Sequence, residues 1–343
     1  MKKLLNTLYV LSQDSYLTLD GENAVINKAD GTQSRFPLHL LENIVTFTYK
    51  GASPALMGAC MQRDTGLSMY SPNGKFLASV NGPCFGNVLL RKEQYRVSDD
   101  DEKAVAYARN MITAKVYNCR RCLERAVRDH SLRIDSEKIK AASILMRDSI
   151  EYVYNCYDKD VLRGLEGKNA VYYFSVFDEL ILNQKEDFKF TVRNKRPPTD
   201  RVNALLSFAY TLLAGECSSA LSGVGLDPYV GFMHSDRSGR KSLALDIMEE
   251  MRPVMADRFV LKLINMRIIQ PNMFDTQNSG AVFLNDSGRK AFFNAWQTKK
   301  REVITHPYIN EKIPWGLVPH IQAQLLARTI RKDLNQYPPF MWK

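Results

Sequence analysis

The N-terminal part of the chain alternates short apolar runs with turn signals. The runs are LNTLYVL, SYLTL, AVIN, SRFPL, NIVTF, LSMYS and KFLASV. Asp20-Gly21, Asp30-Gly31 and Asn73-Gly74 separate some of them, and such dipeptides supply the positive φ angles of tight hairpin turns. Ser53-Pro54 opens one helix, because serine caps a helix and proline fits its first turn. The pattern predicts a small β-sandwich or roll that ends near Gly82-Pro83.

After Pro83 the apolar positions recur at helical spacing. Ser98 is followed by four acidic residues, which favour a helix start through capping and the helix dipole. That helix is predicted to run to about His130, and further helices are predicted over residues 136–158, 161–183, 200–222, 242–269, 286–303 and 317–335. The sequence therefore predicts an α+β fold, with a small N-terminal β-sandwich-like domain followed by a larger, mainly α-helical domain. The predicted boundaries are 1–83 for the β domain, 84–100 for the linker that leads into the helices, and 101–343 for the helical domain.

Charge is distributed unevenly between these two parts. The chain has 343 residues, long enough for two domains with full cores, and a formal net charge of +10. Residues 1–83 hold seven Lys or Arg and six Asp or Glu, whereas the remainder holds 40 and 31. A basic domain favours a polyanionic partner such as nucleic acid. If nucleic acid binds, we expect it on the helical domain.

The cysteines indicate a reducing compartment. Six of them are scattered through a chain in which we find no cleavable signal peptide and no long apolar segment. We therefore expect a cytoplasmic protein with reduced thiols and no membrane association. Cys119 and Cys122 form a C-x-x-C, but no second cysteine or histidine pair lies at zinc spacing, so we interpret them as ordinary helix residues.

The candidate chemistry centres on Gly225 to Pro253, GLDPYVGFMHSDRSGRKSLALDIMEEMRP. Asp246 is three residues from Glu249 and four from Glu250, so the three acids share one helical face. Two explanations remain open for them: a solvated helix face, or a metal site. His234 precedes them across a short basic loop, and one imidazole with several carboxylates suits manganese or magnesium. A histidine after an apolar pair is also common as a structural residue, so spacing alone leaves both explanations open.

A second candidate is Glu166, which stands between Gly164 and Gly167 in the run VLRGLEG. Glycine inside a helix costs up to about 1 kcal/mol relative to alanine, so two of them indicate a packing or ligand requirement. The packing alternative is a close helix crossing that needs small residues and leaves Glu166 merely exposed. The residues themselves do not decide between these explanations.

Three blocks of the sequence resemble one known family. LRGLEGKNAVYYF, RPPTDRVNALLSFAYTLL and GLDPYVGFMHSDRSGRKSLALDIMEEMRP, in that order, are similar to the CRISPR-associated integrase known as CRISPR-associated protein 1, which inserts spacers into CRISPR arrays. The resemblance is firmest over residues 160–270, and the order of a β part before a helical part extends it over the whole chain. The C-terminal aromatic residues resemble those of the type I-C form.

The resemblance assigns roles residue by residue. It implies that Glu166, His234 and Glu249 are the catalytic residues and the metal ligands, with Asp246 as an accessory ligand. Glu249 occupies the acidic position of the family's D-L-x-E pattern, in which this chain has isoleucine in place of leucine. The adjacent Glu250 is the acid that we least expect to face the metal.

The resemblance also implies a cofactor and partners. A divalent metal, Mg²⁺ or Mn²⁺, would activate a DNA 3′-hydroxyl for in-line attack on a repeat phosphodiester, with endonuclease activity as a side reaction. The implied substrates are double-stranded prespacer DNA and CRISPR leader-repeat DNA. The implied protein partners are CRISPR-associated protein 2 and a second copy of this chain, in a homodimer made through the N-terminal β domain.

Basic residues supply candidate DNA contacts. Arg237, Arg240 and Lys241 lie between the candidate histidine and the acids, where they would either bind phosphates or simply neutralise the carboxylates. Arg193 and Arg196 belong to a second cluster, in the proline-stopped loop RNKRPP. The tail YPPFMW either packs on the protein or docks on a partner, and the sequence favours neither.

Two other functions would use the same residues. A general metal-dependent DNA nuclease acting in repair would direct water at the phosphodiester. A non-catalytic DNA-binding scaffold would keep the basic surface without depending on the acids. Joining of a 3′-hydroxyl prespacer to repeat DNA excludes the first alternative, and loss of integration after Glu166→Ala or His234→Ala excludes the second.

Overall fold

The computed structural model describes residues 7–12, 14–41, 43–63, 65–71, 76–80, 88–195 and 197–343. Three features named in the sequence analysis lie outside these residues: the Asn73-Gly74 turn, the Gly82-Pro83 boundary and Arg196. The chain divides into two compact units. The first unit comprises residues 1–85 and 284–301, and the second comprises residues 86–283 and 302–343.

The helices and strands follow one another in the order that the sequence predicts, strands first and helices afterwards. In chain order they are β1 (Thr7–Val10), β2 (Tyr16–Asp20), β3 (Asn23–Asn27), β4 (Gln33–Pro37), β5 (Asn43–Thr46), α1 (Pro54–Gln62), β6 (Gly66–Tyr70), β7 (Phe76–Val80), α2 (Val88–Ser98), α3 (Asp101–His130), α4 (Ser136–Tyr154), α5 (Lys159–Phe174), α6 (Arg201–Gly223), α7 (Ser242–Glu249), α8 (Arg258–Asn265), β8 (Phe274–Thr276), β9 (Val282–Leu284), α9 (Asp286–Arg301), β10 (Val303–Thr305), β11 (Lys312–Pro314) and α10 (Val318–Ile330). A π-helical segment, Arg252–Asp257, lies between α7 and α8. The predicted α+β class is confirmed.

Two sheets form in the first unit. In the larger one, in the order β1-β5-β6-β7, β1 and β6 both run parallel to β5, whereas β7 is antiparallel to β6. The smaller one is the antiparallel sheet β2-β3-β4, whose turns contain Gly21 (φ +56°) and Gly31 (φ +80°), as the Asp-Gly dipeptides predict. Leu17 of β2, Ile44 of β5 and Leu56 of α1 are fully buried in one core. Both sheets and the helix therefore share that core.

Helix α9 belongs to the first unit although it comes late in the chain. Its Phe293 ring stacks on Tyr9 at a centroid distance of 4.5 Å and lies 5.0 Å from Phe47. These ring contacts place Phe293 against aromatic residues of the first unit. The sequence predicts residues 286–303 within the helical domain, because helical periodicity does not show what a helix packs against. The predicted domain boundaries stay a prediction.

Helices dominate the second unit. The 30-residue α3 contacts α4, α5, α7 and the π-helical segment. It starts after Asp100, whose side chain caps the first turn, rather than at the predicted Ser98. Ser98 ends α2, a helix that the periodicity did not indicate, because only Leu90, Gln94 and Val97 of its residues are buried.

Helix α6 is long and apolar enough to cross a membrane by length and composition, which corrects the expectation that the chain has no long apolar segment. However, 56% of its apolar 18-residue window is buried inside the protein, and Leu205 and Leu213 are fully buried. The core helix of a folded domain passes the same test. This helix alone is therefore weak support for a membrane span.

Five cysteines in the described part of the chain are buried free thiols. They include Cys119 and Cys122 of α3, and burial raises the pKa of the Cys122 thiol to about 12. A thiol that stays protonated is neither a nucleophile nor a metal ligand. Both cysteines therefore act as ordinary helix residues.

Candidate active site

Backbone hydrogen bonds join the loop before α7 to the first turn of this helix. No side chain caps α7. Instead, the Pro228 carbonyl accepts hydrogen bonds from Leu243 N at 3.0 Å and from Ala244 N at 3.3 Å. The loop leaves α6 through Gly225, whose φ of +86° favours glycine. The loop is thus fixed at the helix N-terminus, where unpaired N–H groups need acceptors.

Asp246, in the second turn of α7, anchors the other end of this loop. Its Oδ2 accepts hydrogen bonds from Phe232 N at 2.6 Å and Met233 N at 3.0 Å. Its Oδ1 accepts one from His234 N at 3.0 Å and lies 2.6 Å from His234 Nδ1. A Cβ added at Gly231 would lie only 2.8 Å from Asp246 Oδ2, so glycine is required for this approach. Because the carboxylate faces Nδ1, Nε2 is the ring nitrogen left for another partner.

The three acids of α7 do not form a solvated face. Asp246, Glu249 and Glu250 are 1%, 3% and 0% exposed, so that explanation is wrong. Successive helical residues are rotated by about 100°, so neighbours point in different directions. Glu249 contacts Lys115 of α3, whereas Glu250 contacts the C-terminal tail. The structure therefore separates the two glutamates that the sequence left side by side.

Glu250 is held by the tail and by α10. Its Oε1 accepts hydrogen bonds from Tyr337 Oη at 2.6 Å and from Gln322 Nε2 at 2.9 Å, and its Oε2 accepts one from Phe340 N at 2.9 Å. Burial raises the pKa of Glu250 to about 7, although these hydrogen bonds oppose the rise. Tyr337 and Phe340 are 1% and 0% exposed, so the tail is a packed terminus.

Glu166 approaches the same region from α5. Asp158 caps this helix by accepting hydrogen bonds from two backbone N–H groups of its first turn, each at 2.8 Å. Arg163, one turn before Glu166, donates from Nη2 to the Met233 carbonyl at 3.0 Å. This bond ties α5 to the loop that carries His234.

The glycines that flank Glu166 have no packing role in the described structure. A Cβ added at Gly164 or Gly167 would meet no atom within 4 Å. A close helix crossing is therefore wrong as their explanation. The side chain of Glu166 is 25% exposed, so this face of α5 remains accessible to a ligand.

Glu166 and Glu249 meet at Lys115. Lys115 Nζ donates to Glu166 Oε1 and lies 2.7 Å from Glu249 Oε2. Arg252, in the π-helical segment, pairs through Nη1 with the other oxygen, Glu249 Oε1, at 2.9 Å. None of these four side chains is more than 25% exposed. Two cations and two carboxylates therefore balance each other in one largely buried cluster.

The charges of this cluster stabilise one another. Burial alone would raise the pKa of Glu249, but Arg252 and Lys115 hold it well below its usual value. Burial alone would lower the pKa of Lys115, but Glu249 and Glu166 raise it above its usual value. Glu249 and Lys115 are consequently both ionised at neutral pH.

A cavity of about 480 Å³ opens beside the cluster. Its charged lining residues, among those described, are Lys115, Glu166, Arg193, Lys195, Arg252 and Asp257. Tyr210 Oη donates to Asp257 Oδ1 at 2.5 Å, and burial raises the pKa of Asp257 to about 6. Tyr173 and Phe174 add apolar wall. Lys115 and Arg252 are already balanced by the two glutamates of the cluster. Arg193 and Lys195 outnumber the one remaining carboxylate, Asp257, so the cavity suits an anionic ligand.

The four predicted metal ligands lie in two separate groups, one joined by a lysine and one by a direct contact. Lys115 joins Glu166 to Glu249, and Asp246 holds His234. Within the described ranges, no three His, Cys, Asp or Glu side chains lie close enough together to hold a metal ion. The donor set nevertheless fits Mg²⁺ or Mn²⁺, because two carboxylates and a free imidazole nitrogen suit such ions. Glu249 Oε2 faces Lys115 Nζ at 2.7 Å, so this ammonium now occupies the place next to the carboxylate.

The predicted DNA-binding residues lie in two places. Arg193 lines the cavity, where side chains of α6 accept hydrogen bonds from its guanidinium at 2.6 and 3.1 Å. Arg237 is exposed, and Arg240 and Lys241 are half-buried, on the loop that precedes α7. The ion pairs of Glu249 are made by Lys115 and by the π-helical segment, not by this loop.

Sequence reasoning missed two residues that shape the site. Lys115 lies four residues after Met111 and four before Cys119, on a buried face of α3. A lysine inside such a stripe is a signal for a buried partner, because lysine is seldom buried without one. Gln94 of α2 donates from Nε2 to the Asp227 carbonyl at 2.8 Å and so supports the loop before α7. No periodicity could have indicated that contact.

Comparison with known sequences gives consistent matches. The family model described as CRISPR associated protein Cas1 matches residues 8–298. CRISPR-associated endonuclease Cas1 2 of Rhodospirillum rubrum is 46% identical over 352 aligned positions, and CRISPR-associated endonuclease Cas1 1 of Chlorobaculum tepidum is 45% identical over 343. Both alignments cover 100% of this chain and 100% of the relative.

Comparison with solved structures shows the same fold. A casposase bound to integration product has a TM-score of 0.85 at 20% identity, covering 99% of this chain and 95% of that chain. A Cas1 protein from Thermotoga maritima has a TM-score of 0.79 at 22% identity, covering 98% and 100%. At these identities the likeness concerns the fold alone.

Proposed function

This chain belongs to the family of CRISPR associated protein Cas1, as its motifs predict, and on that premise we propose that it is a DNA integrase of CRISPR adaptation with endonuclease activity. In the main reaction the prespacer 3′-hydroxyl attacks a phosphodiester of the CRISPR repeat, so that a new phosphodiester bond joins the two DNAs and the 3′-oxygen of the cut repeat strand leaves. The full-length relatives at 40% to 46% identity are named endonucleases, which supports an enzyme that acts on phosphodiesters.

One observation carries this proposal. The carboxylates of Glu166 and Glu249, which come from α5 and α7, converge on a single buried cation, Lys115 Nζ. A cationic cavity of about 480 Å³ lies beside them. Carboxylates that meet at one point, next to a cavity lined by Arg193 and Lys195, are what metal-assisted phosphoryl transfer needs.

We assign the catalytic and metal-binding roles to Glu166, His234 and Glu249. Asp246 positions His234, because both of its oxygens accept hydrogen bonds from the loop backbone and its Oδ1 also faces His234 Nδ1. A bound Mg²⁺ or Mn²⁺ would supply Lewis-acid polarisation of the phosphodiester and activation of the attacking hydroxyl. Arg252 holds Glu249 Oε1 and so fixes the orientation of Oε2.

The cations around the cavity bind the DNA backbone. Arg193, Lys195 and Arg252 line it and attract the phosphate beside the reacting bond. Arg237 and Arg240, on the loop before α7, contact phosphates further along the strand. Phosphate contacts position a strand without reading its sequence.

The proposed partners follow from the family. They are double-stranded prespacer DNA, CRISPR leader-repeat DNA, CRISPR-associated protein 2 and a second copy of this chain, bound through the N-terminal β unit. In a structure described as a Cas6-RT-Cas1–Cas2 complex, 36% of one chain has the fold of this chain, at a TM-score of 0.84 and 19% identity, which supports CRISPR-associated protein 2 as a partner. The type I-C assignment stays a prediction.

An integration assay tests the function. Purified chain, with and without CRISPR-associated protein 2, is incubated with Mn²⁺, a labelled prespacer and leader-repeat DNA. We expect joined product that disappears with a 3′-dideoxy prespacer, and that Glu166→Ala and His234→Ala reduce to background. Glu179→Gln is the matched control, because Glu179 pairs with Lys138 at 3.0 Å outside the site. Integration by both alanine variants would overturn the site assignment.

The same assay separates the two alternatives. A general nuclease acting in repair would cut the DNA with water and form no joined product. A non-catalytic scaffold would bind DNA and show neither reaction, and the alanine variants would bind as the natural protein does.

A further inference from the structure

Lys115 holds an unusual place in the site. It is the lysine of a buried helical stripe, and its side chain is 11% exposed. Its Nζ donates to Glu166 Oε1 and lies 2.7 Å from Glu249 Oε2. The proposed metal ligands therefore already share a cation that belongs to the chain.

The Lys115 ammonium competes with any other cation, including a divalent metal ion, for the carboxylates of Glu166 and Glu249. Lys115 and Arg252 together balance Glu166 and Glu249. An ion of charge +2 added to this cluster would leave an excess of two positive charges in a largely buried place. Uncompensated buried charge is strongly unfavourable. A divalent ion and the Lys115 ammonium therefore do not occupy these oxygens together without an added anion.

The cavity provides both the room and the anion. Lys115 itself lines the space of about 480 Å³, together with Arg193, Lys195 and Arg252. The lysine side chain is a flexible four-carbon stem, so its ammonium can turn into this space. A phosphodiester bound there would give the ammonium a new partner and would offset one of the added positive charges.

We propose that Lys115 is an internal cation that occupies Glu166 and Glu249 until a DNA phosphate draws it into the cavity, so that metal binding and DNA binding are coupled through this one side chain. The inference rests on the proposed metal-dependent function of the same site. Coupling of this kind is reciprocal: DNA strengthens metal binding by the factor by which metal strengthens DNA binding. We expect a factor of about 10, within the usual range of such couplings.

Metal binding, measured without turnover, tests the proposal. Mn²⁺ is titrated into the full-length chain by isothermal calorimetry and by electron paramagnetic resonance of the free ion. Each titration is run alone and with a single-stranded oligonucleotide that ends in a 3′-dideoxynucleotide. For the natural chain, we expect the oligonucleotide to lower the Mn²⁺ dissociation constant about tenfold.

Lys115→Met removes the charge and keeps most of the side-chain length. Without DNA, this variant should bind Mn²⁺ about tenfold more tightly than the natural chain, and the oligonucleotide should then add little. Lys115→Arg keeps the charge and should keep the weak DNA-free binding. Lys138→Met is the matched control, because Lys138 pairs with Glu179 at 3.0 Å and is 48% exposed. It should behave as the natural chain does.

Several outcomes would overturn the proposal. Equal Mn²⁺ affinity of the natural chain with and without the oligonucleotide would exclude the coupling, whether or not Lys115→Met folds. Unchanged DNA-free affinity in folded Lys115→Met would exclude Lys115 as its cause. Failure of the underlying function looks different: no chain would then bind Mn²⁺ under any condition, or Glu166→Ala would bind it as well as the natural chain.

Discussion

Gly231 is the point at which the loop that carries His234 touches α7, so Gly231→Ala tests how the histidine is held. The added Cβ would lie 2.8 Å from Asp246 Oδ2, 2.8 Å from Ser242 Cβ and 3.0 Å from Ser242 C. Carbon atoms in contact normally stay about 3.5–4.0 Å apart, so the loop and the helix must separate by roughly 0.7 Å. The backbone of α7 cannot yield as the end of a flexible side chain can.

This separation has two expected effects. Overpacking in a core typically costs about 1–3 kcal/mol, and weakening the buried hydrogen bonds to Asp246 adds about 1–3 kcal/mol. We therefore expect the free energy of unfolding to fall by about 2–6 kcal/mol. The contact of 2.6 Å between His234 Nδ1 and Asp246 Oδ1 would also lengthen. Loss of such supporting contacts commonly lowers activity 10- to 100-fold, and we expect about that loss of integration.

Two measurements check the prediction. Urea denaturation followed by circular dichroism gives stability, and the integration assay at saturating Mn²⁺ gives activity. Gly223→Ala is the control, because a Cβ at Gly223, the last residue of α6, would meet nothing within 4 Å. It should lower neither quantity. Unchanged stability and activity in Gly231→Ala would refute the packing argument, and lost stability with full activity would refute the role of Asp246 in orienting His234.

Three further predictions follow from the same structure. The folded pKa of Glu250, about 7, exceeds its usual 4.5, so its stabilising effect is full below pH 4.5 and is lost as pH rises through 7. Between pH 5 and pH 8, the free energy of unfolding measured by urea denaturation should therefore fall by on the order of 3 kcal/mol less in Glu250→Gln than in the natural chain. Gly164→Ala and Gly167→Ala should each raise stability in thermal melts by about 0.5–1 kcal/mol, since the methyl group meets no atom within 4 Å. Arg237→Ala and Arg240→Ala should each reduce the salt dependence of prespacer binding, measured by fluorescence anisotropy, by a slope of about 1.

Each of these has its own control. Glu137→Gln, which changes a side chain that is 84% exposed, should leave the pH dependence of stability unaltered. If stability depended on pH in Glu250→Gln as it does in the natural chain, the Glu250 prediction would be wrong. Gly239→Ala should lower stability, because an added Cβ there also meets no atom within 4 Å but the backbone φ is +74°. Lower stability in Gly164→Ala or Gly167→Ala would contradict the prediction made for these two variants. Arg147→Ala, on α4, should keep the full salt slope, and equal slopes in all variants would exclude the loop arginines from the DNA interface.

The local features of this protein were readable from the sequence. Asp-Gly dipeptides predicted hairpin turns of β2-β3-β4, because only a few residues adopt positive φ readily. Helical periodicity predicted most of the helices that follow, and the motifs identified the family and named Glu166, His234 and Glu249. Each of these inferences uses residues close together in the chain, whose spacing limits the local backbone conformation.

Only the tertiary structure decided what each side chain faces. Spacing put Glu249 and Glu250 on the same helix, but the packing of α3 against one and of the tail against the other separates their environments. Lys115, which lies far from both glutamates in sequence, became part of the site because folding brings α3, α5 and α7 together. Helix α9 likewise belongs to the first unit because of a long-range contact, in which Phe293 stacks on Tyr9. Periodicity determines which face of an element is buried, whereas long-range packing determines its partner.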